Sequence, residues 1–157
     1  MEGWTLEGGA ERSLAVDPGA GSLGRGALVA TVRGATMSVL ARRLDTPVDL
    51  AGVEEISFFY RYVTELFFLS EKKLRTIGLR LRSDDRGCLE YIPEYPAQGA
   101  PSEDRYSWVF FQAPVSAFTP VGAPRLSAVS SIEVLFGPEV PADCIFRLDA
   151  LAAGRRA

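Results

Sequence analysis

Short apolar runs separated by clusters of glycine, proline and aspartate organise this chain. In RTIGLRLRS, Ile77, Leu79 and Leu81 fall on one face of an extended strand, and Gly78, Arg80 and Arg82 fall on the other. In EISFFYRYV, Ile56, Phe58, Tyr60 and Tyr62 alternate with Ser57, Phe59, Arg61 and Val63. A period of two marks a half-buried strand, and runs this short and this rich in β-branched and aromatic residues do not suit helices. The pattern predicts strands at about Trp4–Glu7, Ser13–Val16, Gly26–Arg33, Met37–Arg42, Ile56–Thr64, Thr76–Arg82, Leu89–Ile92, Ser107–Gln112, Ile132–Phe136 and Ile145–Leu151. Turn clusters separate them at Asp17–Gly26, Arg33–Ala35, Ser83–Gly87, Pro96–Asp104, Thr119–Pro124 and Gly137–Asp143.

Helical repeats of the kind that carry parallel crossovers are missing, so the strands are expected to form an antiparallel sandwich. Two stretches stay open. TELFFLSEKKL (Thr64–Leu74) reads equally as a short helix, a continued strand or an excursion, and Ala51–Glu55 reads as a helical turn.

Composition narrows the function classes. A chain of 157 residues fits one domain, 1–157, with a sizeable core. Its net charge of −3 argues against a general nucleic-acid binder, which carries a basic face or stripe. The chain has no histidine, which removes imidazole general bases, Ser-His-Asp triads and histidine-held zinc or iron. Cys88 and Cys144 lie far apart with no CxxC spacing; they read as two buried thiols, with a disulfide left open. No basic segment leads into an apolar core near Met1, and no apolar run reaches the ~20 residues of a membrane span. The expectation is a cytoplasmic protein if the chain is whole, or an extracellular one if it is a module cut from a secreted protein.

The order of the segments resembles the galactose-binding-like jelly roll, shared by bacterial carbohydrate-binding modules and by relatives of complex I intermediate-associated protein 30. GWTLEGG resembles the opening strand, GRGALVATV the glycine-led second unit, and VDLAGVEEISFFYRY the aspartate-leucine segment before an alternating strand. TIGLRLRSD is similar to the central strand and YSWVFFQAPVSAF to the tryptophan strand with its turn and phenylalanine. SSIEVLFG and CIFRLDALAA resemble the paired closing strands. The resemblance covers nearly the whole chain and implies an all-β, two-sheet antiparallel sandwich of jelly-roll type.

Asp149 is an acid inside the last apolar run. The resemblance implies a structural calcium held by Glu7 and Asp149, helped by carbonyls of the Asp17–Gly26 loop; calcium needs six to eight oxygens. A solvated carboxylate or a pair with Arg147 is the plainer alternative.

If the apolar faces point inward, Arg61, Arg80, Arg82, Gln112 and Phe59 point outward. The resemblance places Trp108 and Phe110 outward too, with Val109, Phe111 and Ala113 inside. Together these strands would form one concave surface. Aromatic rings pack against the C–H faces of sugars, while arginine and amide groups bond hydroxyls. Arginine also recognises the carboxylate of a uronic acid or a sulfate. Tyr95, in the proline-stiffened loop Cys88–Trp108, would form one wall of a cleft. The adjacent pairs Glu54–Glu55 and Asp84–Asp85 are poor catalytic dyads, because neighbouring strand or turn residues point apart.

The expected function is therefore a non-catalytic carbohydrate-binding module taking a polysaccharide or glycan on the concave face, with a linked catalytic domain as a natural companion. The alternative is a protein-interaction or assembly factor resembling complex I intermediate-associated protein 30, using Leu66–Leu69 as its partner site. Neither reading involves nucleic acid, a membrane span or enzymatic turnover.

Overall fold

The computed structural model describes residues 2–19, 21–22, 26–64, 76–93, 108–139 and 141–155. Eleven strands form two antiparallel sheets. They are β1 (Trp4–Glu7), β2 (Glu11–Asp17), β3 (Ala27–Ala35), β4 (Ser38–Val48), β5 (Glu55–Thr64), β6 (Thr76–Arg82), β7 (Gly87–Tyr91), β8 (Val109–Pro114), β9 (Thr119–Gly122), β10 (Val129–Gly137) and β11 (Ala142–Gly154). One sheet has six strands in the order β1-β4-β10-β6-β7-β9, and the other has five in the order β2-β3-β11-β5-β8. No helix among the described residues is long and apolar enough to cross a membrane.

The alternation read from the sequence sets the inside of the sandwich. Ile56, Phe58 and Tyr60 of β5 are buried, as are Ile77, Leu79 and Leu81 of β6. Phe111 and Ala113 of β8 join them with no exposure at all. Between the sheets, Phe136 of β10 stacks on Phe146 of β11 with ring centroids 4.2 Å apart and planes 9° from parallel. Phe58 stacks on its cross-strand neighbour Phe111 at 4.7 Å. Truncating one such ring to alanine costs about 3–5 kcal/mol. Burial of this aromatic layer thus opposes the conformational cost of ordering the strands.

Three features depart from the pattern. Thr119–Gly122, read as a turn, is strand β9. It is the outermost strand of its sheet, the place where Pro120 removes no bond that a further strand would need. Strands β2, β4, β10 and β11 all run beyond the expected bounds. Ala51–Gly52 is a hydrogen-bonded turn rather than a helix: Val53 N–H donates to the Leu50 carbonyl and Ala51 N–H to Asp49 Oδ1. The ambiguous stretch after Thr64 lies outside the described residues.

Glycine is required where β7 meets β9. Gly87 has φ +119°, and a Cβ there would collide with the Val121 carbonyl. Both cysteines are buried free thiols, Cys88 on β7 of the six-stranded sheet and Cys144 on β11 of the five-stranded one, so the open disulfide is not made.

Candidate functional site

Outward-facing side chains fall on two opposite surfaces, because each sheet has its own outer face. This corrects the single surface expected from the sequence. Arg80 and Arg82 lie on β6 of the six-stranded sheet, whereas Arg61 lies on β5 and Phe110 and Gln112 lie on β8 of the five-stranded sheet. Both arginine groups point away from the interior, but in opposite directions.

On the six-stranded sheet the arginines meet carboxylates. Arg80 Nε donates to Glu90 Oε2 at 2.7 Å and Nη1 to Glu133 Oε2 at 3.0 Å. Arg82 Nε donates to Glu133 Oε1 at 2.6 Å and Nη2 to Glu133 Oε2 at 3.3 Å. The register builds this cluster, since Arg80 is paired with both Glu133 of β10 and Glu90 of β7. At Arg80, burial works against the charge, but the bonds to Glu90 and Glu133 outweigh it and raise the pKa. At Arg82 the bond to Glu133 is the main cause of a raised pKa. These guanidinium groups are engaged with protein carboxylates rather than presented to a sugar.

The five-stranded sheet carries a different surface. Its edge strand β8 is paired with β5, and β5 with β11. The register places Phe110 opposite Phe59, and Arg61 opposite Arg147. The Phe59 and Phe110 ring centroids are 4.9 Å apart, and Phe110 is 45% exposed. The Arg61 guanidinium carbon lies 5.5 Å from the Trp108 ring centroid, a cation–π distance. Gln112 Nε2 donates to Glu55 Oε2 at 2.5 Å. The result is a strip of Trp108, Phe110 and Phe59 beside two arginines and an amide. Of the expected ligand residues, Arg61, Trp108, Phe110 and Gln112 come together here. Tyr95 and the Leu66–Leu69 segment lie outside the described residues.

Arg147 belongs to this surface and had been read only as a partner for Asp149. Its parity matched that of Arg61, but the pairing of β11 with β5 joins residues too far apart in sequence for periodicity to reveal. Arg147 Nε is buried with no hydrogen-bond partner. Burial, and then the neighbouring Arg61 charge, lower the Arg147 pKa, while Asp17 acts in the opposite sense.

Asp149 also lies on this face but serves the backbone and a loop. Its Oδ2 accepts from Ser22 Oγ at 2.7 Å, and its Oδ1 accepts from Ala150 N at 2.7 Å. Ala150 has φ +51° at the register shift of β11, so the carboxylate caps a bulge and ties down the β2–β3 connection. Glu7 is exposed on edge strand β1 of the other sheet. The two acids expected to share a calcium lie on different sheets, and Asp149 is already bonded to Ser22 and Ala150. No cluster of three or more His, Cys, Asp or Glu side chains that could hold a metal occurs among the described residues.

No protein-family model and no curated protein sequence matches the chain. Solved structures do. The chain is 15% identical to a family 11 carbohydrate-binding module from Clostridium thermocellum in complex with a β-1,3-1,4-mixed-linked tetrasaccharide; the match covers 99% of this chain and 90% of that one, with a TM-score of 0.65. It is 18% identical to the CBM22-1 xylan-binding domain of Paenibacillus barcinonensis Xyn10C, covering 99% and 88% with a TM-score of 0.57. It also matches 26% of a Clostridium thermocellum xylanase chain that joins CBM22-1 and GH10 modules, at 17% identity and a TM-score of 0.51, with 98% of this chain covered. These likenesses, with the sheet order above, establish the fold: an all-β, two-sheet sandwich of the type used by carbohydrate-binding modules.

Proposed function

We propose that the chain is a non-catalytic glycan-binding module whose ligand lies along the outer face of the five-stranded sheet. The observation that carries this reading is the Phe59–Phe110 pair, part exposed, next to Arg61 over Trp108. The rings offer flat apolar area to sugar C–H faces, and Gln112 and the arginines offer donors to ring and hydroxyl oxygens. Strands hold these groups in fixed register, so little ordering is needed on binding. Glu55 and Asp149 on this face are bonded to Gln112 and Ser22, which does not suggest an acid–base pair. The sandwich fold, shared with modules whose structures hold oligosaccharides, supports the same reading. A module linked to an enzyme keeps it at high effective concentration near its polymer, so modest single-site affinity suffices.

Affinity electrophoresis and calorimetry against mixed-linked β-glucan, xylan, β-1,4-galactan and acidic polysaccharides test the proposal. Retention by at least one polymer is expected, lost in Phe59→Ala/Phe110→Ala with the far-UV spectrum unchanged. Retention by none, or turnover of any polymer by the purified chain, overturns it.

A further inference from the structure

We infer that the chain has a second binding site, separate from the outer sheet face, which takes a single-chain fatty acid anion. The site is a cavity of about 560 Å³ between the two walls, within the size range of small-molecule pockets. The strand register shows how it is built. Leu6 and Leu40 are paired and buried, so Trp4 and Arg42, paired two residues further along, share the same inward face. Ile132 is paired with Arg42 on the other side, and with the buried Leu81 beyond it. The facing wall supplies Leu28, which is paired with both Val16 and Leu148. Both rows, Trp4–Arg42–Ile132 and Val16–Leu28–Leu148, line the cavity.

The lining decides what such a space holds. It is mostly aliphatic, with Leu44, Leu50 and Leu151 adding to the two rows. Among the described residues its charged side chains are Arg42 and Asp149, and Asp149 is bonded to Ser22 and Ala150. Ordered water needs about two to four polar partners, which these leucines do not supply. A sugar inside would leave hydroxyls unbonded, whereas an aliphatic chain loses only its contact with water. Apolar area is also left for a chain to cover: Trp4, Leu28, Ile132 and Leu151 pack against the core but are only partly buried, and Val16 is 54% exposed. Arg42 sets the polarity of the ligand. It occupies an inward-facing position in the strand, where packing alone calls for an apolar residue. Its side chain is exposed at the mouth, with the guanidinium carbon 5.7 Å from the Trp4 ring centroid. A ring face holds a cation without neutralising it. A carboxylate at this mouth takes forked, charge-assisted bonds from the guanidinium while its chain runs inward between the leucines. Asp149 belongs to the other wall, so the head group sits on the β4 side.

Decanoate, kept below the concentration at which it self-associates, is the probe. Calorimetry measures its binding, and fluorescence of the Trp108→Phe variant follows Trp4, then the only tryptophan. Saturable binding is expected, tightening about fourfold for each CH₂ added from hexanoate to decanoate. Decanol, the same chain without the charge, is expected to bind about tenfold or more weakly. Arg42→Ala should bring decanoate down to the level of decanol and leave decanol unchanged. Ala153 lines the exposed lip opposite Ile56, so Ala153→Phe should fill the entrance and exclude both ligands. No saturable decanoate binding, or binding that survives Ala153→Phe, overturns the inference. Equal binding of decanoate and decanol, unaffected by Arg42→Ala, overturns it too. Capture on phosphatidylglycerol vesicles without binding of monomeric decanoate identifies a membrane contact and also overturns it. Glycan retention by the outer face stands or falls separately, because Phe59 and Phe110 do not line this cavity.

Discussion

On the six-stranded sheet Arg80 and Arg82 converge on Glu133, a side chain only 10% exposed, while on the five-stranded sheet Arg61 faces Arg147. Both surfaces use an arginine on alternating strand positions, and both are rigid. The difference lies in the neighbouring strand: β10 supplies a carboxylate at the paired position, and β11 supplies a second cation. The first surface satisfies its own charges and contributes to the fold. The second sets two cations side by side next to the half-exposed Phe110 ring. Outward orientation alone therefore does not say which charges meet a carboxylate; the cross-strand partner does.

The sharpest way to break this comparison is Glu133→Ala. It leaves two guanidinium groups around an apolar position, and a loss of about 3 kcal/mol is expected, since removing one partner of a largely buried pair typically costs 3–5 and Arg82 is partly in solvent. Urea unfolding measures it; a loss below about 1 kcal/mol would mean that water already screens the cluster.

The next expected effect separates the interior from both faces. Arginines stay charged through alkaline pH, but Cys144 is buried, and burial pushes its thiol from 9.0 up to about 11. Tyr62 is shifted upward as well, chiefly by burial. For these acids the folded state holds the proton more tightly, so their contribution is complete below the unfolded pKa and is lost as pH rises towards the folded one. Stability should fall between about pH 9 and 11 by about 2–3 kcal/mol. Cys144→Ala should flatten that limb, although its lost volume lowers the plateau, and Tyr62→Phe should flatten its upper part. An alkaline limb unchanged in both variants would place the titrating groups elsewhere.

A smaller effect of opposite sign is expected on the five-stranded face. Arg147→Gln should raise stability by about 0.2–1 kcal/mol, because it removes a like charge opposite Arg61. A loss of more than about 1 kcal/mol would show that packing of the Arg147 stem outweighs the repulsion. The smallest effect concerns calcium. With Glu7 and Asp149 on different sheets and Asp149 bonded to Ser22 and Ala150, EDTA should leave the melting temperature unchanged. A fall that added calcium restores would show that a cation helps hold the loop beneath Ser22.

Much of the fold was legible because alternation is local. Ile77, Leu79 and Leu81, or Phe58 and Phe111, declare their inward face within a few residues. The sheet to which a strand belongs is not local information. RTIGLRLRS and EISFFYRYV read alike, yet they form opposite walls, so a surface joining Arg61 to Arg80 and Arg82 could be drawn on the sequence but not built. For the same reason Glu133 went unnoticed as the anchor of two arginines 51 and 53 residues away. Strand β9 was hidden by its composition: proline and glycine signal turns everywhere except at an outermost strand, where a missing donor goes unmissed. Asp149 was noticed for its odd position, and the answer is a bulge that needs an acceptor for the Ala150 N–H.

Strands β10 and β11 come last in the order of the chain, yet each sits in the middle of its sheet, β10 between β4 and β6 and β11 between β3 and β5. Until these last two strands dock, each wall exists only as two unjoined halves, and the Phe136–Phe146 stack that couples the walls has neither ring in place. A ribosome must therefore release nearly all of the described residues before either layer closes, and the many contacts of long sequence separation should make maturation slow compared with a helical bundle of similar size. Shortened chains lacking β11 would lose the centre of a sheet, so clipping near Asp143 should abolish folding.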